Sequence, residues 1–96
     1  MRLVKVSAPE GQGIKVIEIA HKAGIKEAAL QKVEVYSSEG EKKVKEVIDL
    51  QNSTPKVKSF IDQLMASPFF NPEDYRLLRM GGDPLKKLIS MDIKKR

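Results

Sequence analysis

The chain has 96 residues, of which 41% are apolar and 32% charged. That balance suits one small soluble domain with a single core and excludes disorder as the main state. Lys and Arg outnumber Asp and Glu by 18 to 13, a net charge of +5, which raises nucleic acid as a partner. The absence of cysteine excludes disulfides, zinc–cysteine sites and thiol nucleophiles. No window approaches the roughly 18 uninterrupted apolar residues that a membrane span needs. The N-terminus has no signal-peptide pattern, so a cytoplasmic location is expected.

Arg2 to Ala8 alternates as a strand, with Val4, Val6 and Ala8 on one face, and Pro9 stops it. Glu10-Gly11-Gln12-Gly13 leads into a helix from Ile14 to Ala23, whose apolar stripe is Val16, Ile17, Ala20 and Ala23, with Gly24 suited to its C-terminal cap. Leu30 to Tyr36 alternates again and places Val33 and Val35 on the core face. Ser37-Ser38-Glu39-Gly40 has the length of a hairpin turn. Lys43 to Leu50 returns as a strand with Val44, Ile48 and Leu50 on one face, a face that Glu46 interrupts. A helix over Glu41 to Leu50 is the alternative, disfavoured by the β-branched content and the short turn.

Ser53-Thr54-Pro55 opens a second helix: Thr54 can cap it and Pro55 suits its first position. Val57, Phe60, Ile61, Leu64 and Met65 then follow at helical spacing, and the helix ends before Pro68. Of the adjacent Phe69 and Phe70, one is expected to anchor the loop and the other to offer a partner contact, unless both pack under the end of this helix. Asn71 to Asp74 forms a turn into a last strand, Tyr75 to Met80, and Gly81 to Pro84 breaks the chain before a tail, Leu85 to Arg96, with helical spacing at Leu85, Leu88 and Ile89.

The order β-α-β-β-α-β predicts a ferredoxin-like α+β domain over residues 1–80, a four-stranded antiparallel sheet with two helices on one face. Residues 81–96 form a basic C-terminal tail. The domain part holds 13 Lys and Arg against 11 Asp and Glu, and the tail 5 against 2, so most of the charge excess belongs to the tail. Lys86, Lys87, Lys94, Lys95 and Arg96 are its candidate contacts with a partner, a membrane surface or nucleic acid.

Chemistry is sparse. His21 stands alone near the end of the first helix, no serine has a base at a recognisable spacing, and no carboxylate pair falls in a stretch expected to be buried, so no catalytic or metal-binding residue, enzyme activity or cofactor is expected. Gly11, Gln12 and Gly13 before the first helix, and Ser53 and Thr54 before the second, are candidates for holding a small anionic ligand, because a helix start offers free N–H groups. A strand-to-helix turn and ordinary capping explain the same residues without a ligand.

The face of the sheet away from the helices is expected to carry Leu3, Lys5, Lys32, Glu34, Tyr36, Lys45, Val47 and Asp49. Few aromatics and interleaved carboxylates suit a base-stacking surface poorly, whereas mixed apolar and charged side chains suit pairing with a second copy.

The run Met1-Arg2-Leu3-Val4-Lys5-Val6 into Pro9-Glu10-Gly11, a helix ending in Ala23-Gly24-Ile25, a hairpin, and Ser53-Thr54-Pro55 before the Tyr75 strand together resemble the N-terminal cytosolic domain of a family of uncharacterised prokaryotic membrane proteins. The resemblance spans residues 1–80 and implies a membrane-protein partner, although no membrane segment falls within these residues. In architecture the chain is also similar to ACT and PII-like regulatory domains, which oligomerise and bind ligands at subunit boundaries, but it lacks the long ligand-binding loop of PII proteins. The expected function is that of a small regulatory or interaction domain, self-associating and sensing a small anion; the alternative is nucleic-acid binding through the basic tail.

Overall fold

A computed structural model describes residues 2–80. Its elements are β1 (Arg2–Pro9), α1 (Gly13–Lys22), β2 (Ala28–Tyr36), β3 (Lys42–Asn52), α2 (Thr54–Met65) and β4 (Arg76–Met80). The strands form one antiparallel sheet in the order β2-β3-β1-β4. This is the ferredoxin-like α+β arrangement that the element order predicts. The basic tail, with Lys86, Lys87, Lys94, Lys95 and Arg96, lies outside the described residues.

Local chemistry accounts for the boundaries. Gly24 takes φ +90°, a left-handed conformation that a side chain would strain. The N–H of Ile25 then reaches the Ala20 carbonyl at 2.9 Å, and the N–H of Gly24 reaches that of His21 at 3.0 Å. This double closure of a helix end brings the buried Ile25 back onto the core. Between β2 and β3 the chain turns at Ser37–Gly40, where the N–H of Ser37 donates to the Glu41 carbonyl and the Ser37 Oγ accepts from the N–H groups of Glu39 and Glu41. The helical alternative for Glu41–Leu50 is thereby excluded.

The core lies between the sheet and the two helices. Val4, Val6 and Ala8 of β1 and Ile48 and Leu50 of β3 meet Val16, Ile19 and Ala20 of α1 and Val57, Phe60, Ile61 and Leu64 of α2. Ile19 is an addition to the expected stripe of α1, whose Ile17 and Ala23 are only partly buried. Met65, expected in the stripe of α2, is 56% exposed although Leu64 on the same last turn is fully buried, since at about 100° per residue it is turned to the margin of the stripe.

The expected facing of β2 is reversed. Its register pairs Ala28 with Leu50 and Leu30 with Ile48, so the even-numbered residues share the helix side and Val33 and Val35 lie on the open face. A strand's period of two allows no compromise between the faces. Lys32, Glu34 and Tyr36, expected on the open face, are therefore on the helix side, where the outer half of the hairpin is exposed.

Candidate functional site

The five residues expected to hold an anion are divided between the two ends of the sheet. Gly11, Gln12 and Gly13 follow the C-terminal end of β1, whereas Ser53 and Thr54 follow Asn52, which pairs with Arg2 at its N-terminal end. They do not make one site.

At the start of α1, Gly11 is exposed with φ +88°, the turn that brings the helix back over the sheet. The N–H of Gly13 donates to Glu46 Oε1 at 2.7 Å. Glu46 projects from β3 to the helix side and is only 5% exposed. The carboxylate that interrupts an otherwise apolar strand face is thus the partner of a helix N-terminus, a position where negative charge is favourable. Glycine at position 13 is required by proximity, since a Cβ there would stand 2.6 Å from Glu46 Oε1 and closer still to the Leu30 side chain.

Gln12 is engaged by the opposite wall. Its Oε1 accepts a hydrogen bond from the Tyr75 hydroxyl, which joins the β1–α1 loop to the entry of β4. Phe69 and Phe70 both pack against Tyr75, with ring centroids 6.3 and 5.0 Å from it. Both are partly buried against the core, so neither is left as a free aromatic contact. Lys15 Nζ stands 5.4 Å over the ring of Phe69.

Burial, with the neighbouring Asp74 carboxylate adding to it, pushes the Tyr75 phenol up from 10.0 to about 12. Below pH 10 the phenol is neutral in both folded and unfolded chains and its hydrogen bond is intact. Above that pH the unfolded chain ionises first, so stability is expected to fall as pH rises from about 10 through about 12. Tyr75→Phe removes this part of the decline while costing about 0.5–1.5 kcal/mol at neutral pH. Urea unfolding of the two proteins at stepped pH measures both effects; parallel declines above pH 10 would show that Tyr75 is not their source.

At the start of α2, Ser53 occupies the cap position, one residue before the expected Thr54, and makes no side-chain cap hydrogen bond. Its N–H donates to Asn52 Oδ1 at 2.8 Å, and Thr54 Oγ1 accepts from Arg2 Nε at 3.4 Å. Both residues are exposed.

The open face of the sheet is the larger feature. Among the described residues no helix covers Leu3, Lys5 and Ser7 of β1, Ala29, Gln31, Val33 and Val35 of β2, Lys43, Lys45, Val47, Asp49 and Gln51 of β3, or Leu78 of β4. Lys5 Nζ lies 3.9 Å from Asp49 Oδ1, which has no hydrogen-bond partner among the described residues. At this end of the sheet Leu3, Glu27, Ala28, Ala29, Asp49, Leu50 and Gln51 line a shallow depression of about 460 Å³. Leu3, Lys5, Lys45, Val47 and Asp49 are legible in the sequence as residues of this face, whereas Val33 and Val35 are not, because their alternation looks the same whichever face is buried. Among the described residues this face carries no aromatic side chain, so the base stacking of sheet-surface RNA binders has no platform here.

His21 is exposed on the last turn of α1. Among the described residues no three His, Asp or Glu side chains gather where they could hold a metal ion, and no helix is long and apolar enough to cross a membrane. Fold and surface together define a ferredoxin-like α+β domain with one sheet face that the described residues leave uncovered. A scan of protein-family models gives no match to this chain, and a search of curated proteins gives no significant match.

Proposed function

We propose that this is an interaction domain of regulatory type that self-associates through the open face of its sheet. The observation that carries the reading is the composition of that face, with Leu3, Val33, Val47 and Leu78 set among Lys5, Lys43, Lys45, Asp49 and Arg76. The apolar side chains, one on each strand, supply area to bury, and charges of both signs, with Lys5 and Asp49 paired on the two central strands, give register to a symmetric contact. The resemblance of residues 1–80 to a cytosolic domain of membrane proteins supports a membrane-protein partner for the assembled form. Small-anion sensing has less support, because the Gly13 N–H is already given to Glu46.

The test is the molecular mass in solution across a concentration series. Val47 lies on β3 opposite Ser7 of β1 and Gln31 of β2, near the middle of the face. Val47→Lys adds a third lysine to the line of Lys43 and Lys45 and is expected to weaken face-to-face association at least about tenfold, with little change in stability. A wild-type chain that stays monomeric at millimolar concentration removes this reading.

A further inference from the structure

The outer edge of β2 is a second surface, distinct from the open face. β2 is the terminal strand of the sheet among the described residues, and its pairing with β3 runs without a bulge from Ala28↔Leu50 to Tyr36↔Lys42. Among the described residues its outward N–H and C=O groups therefore form a regular, unpaired ladder. Edges of this kind are usually blunted by proline, by a bulge or by lysines of one sign. Ala28–Tyr36 contains no proline and carries one lysine and one glutamate, Lys32 and Glu34, on the same side of the strand.

That spacing is self-complementary. When two copies of β2 run antiparallel about a two-fold axis through Val33, Lys32 of each lies opposite Glu34 of the other. Leu30 then lies opposite Tyr36, and Gln31 opposite Val35. Moving the axis by one residue sets Lys32 against Lys32 or Glu34 against Glu34, and like charges directly opposite are destabilising. Tyr36 and Val35, 66% and 48% exposed in the single chain, would each gain a cross-strand neighbour. A two-fold axis perpendicular to the sheet also keeps the helices of both copies on one side.

We propose that two copies of this chain join edge to edge through β2, centred on Val33, to make one continuous eight-stranded sheet. The partner is a second copy because the edge matches its own reverse. This contact is independent of the open face, which stays uncovered in such a dimer and free to meet other surfaces.

Charge exchange tests it. Lys32 and Glu34 side chains are 63% and 52% exposed; Lys32 pairs with Glu10 at 4.0 Å, and Glu34 pairs with Lys42 at 3.1 Å and accepts a hydrogen bond from the Tyr36 hydroxyl at 3.0 Å, surface contacts of small worth to stability. Lys32→Glu and Glu34→Lys, each introduced alone, place like charges opposite one another twice per dimer, and each is expected to raise the dimer dissociation constant about tenfold or more. The double variant K32E/E34K restores complementarity and returns the constant to within about threefold of wild type. Sedimentation equilibrium reads all four proteins, with circular dichroism confirming that each is folded.

Because the chain has no cysteine, Val33→Cys offers a positional readout. Directly opposed residues of an antiparallel pair lie about 4.5–5.5 Å apart at Cα, within the span of a disulfide. The Val33→Cys variant is therefore expected to cross-link to a dimer on mild oxidation. In Val35→Cys the two thiols lie four strand positions apart, roughly 13 Å, and stay reduced. Single and double charge variants that bind alike, or a Val35→Cys variant that cross-links as readily as Val33→Cys, would overturn the proposal. Adding Val47→Lys to Val33→Cys is expected to leave the cross-link intact, which separates this edge contact from the face contact.

Discussion

Glu46→Ala is expected to lower the free energy of unfolding by about 1.5–3 kcal/mol, the range for loss of a hydrogen bond to a charged group. The change leaves the N–H of Gly13 without its acceptor, at a helix start where the acceptor's charge was also favourable. Glu46→Gln keeps an acceptor oxygen at the same reach and is expected to cost less than Glu46→Ala. Gly13→Ala attacks the same contact from the other side. Its Cβ would stand 2.6 Å from Glu46 Oε1 and press on Leu30, an overpacking worth about 1–3 kcal/mol. The two sites share one contact, so the double variant Gly13→Ala/Glu46→Ala is expected to cost less than the sum of the singles. Urea unfolding of the four proteins closes the cycle. Equal losses for Glu46→Ala and Glu46→Gln, or strictly additive costs, would show that the Gly13–Glu46 contact does not hold α1 to β3.

The larger loss is expected at Phe60. This side chain is fully buried in the middle of α2 and belongs to the core shared by both helices and the sheet. Phe60→Ala removes its transfer free energy and leaves a cavity, together about 3–5 kcal/mol. For a domain of this size that is a large share of the total stability and lowers the melting temperature by tens of degrees. Met65 closes the apolar pattern of the helix five residues further on, which turns it about 140° away from Phe60, and it is 56% exposed. Met65→Ala is accordingly expected to change stability by less than about 0.5 kcal/mol. Thermal and urea unfolding of both variants test the contrast; comparable losses would mean that α2 sits on the sheet differently.

The same contrast shows where periodicity stops being informative. Val57, Phe60, Ile61, Leu64 and Met65 share a helical spacing, but the stripe has a width, and Met65 at its margin is exposed where Leu64 beside it is buried. Tyr75 teaches the converse. Its position at the entry of the last strand is legible from the turn at Asn71–Asp74, whereas its hydrogen bond to Gln12 links loops separated by most of the chain and leaves no local signature. Phe69 and Phe70 are ambiguous in sequence for a similar reason: adjacent aromatics in a loop are placed by what they meet, and here both meet Tyr75.

The order of elements, and with it the ferredoxin-like arrangement, is written locally, because helix periodicity, the Ser37–Gly40 turn and the Gly24 helix end are devices that act within a few residues. The anomaly at Glu46 is equally visible in the strand that carries it. What that anomaly is for emerges only when the chain has folded, since the start of α1 and the middle of β3 are brought together by the crossover and by nothing in their own segments. The facing of β2 likewise waits on register. Val33 and Val35 alternate as core residues do, but the pairing of Leu30 with Ile48 sends them to the open side, and a strand with apolar residues on both faces has no local means of choosing between them.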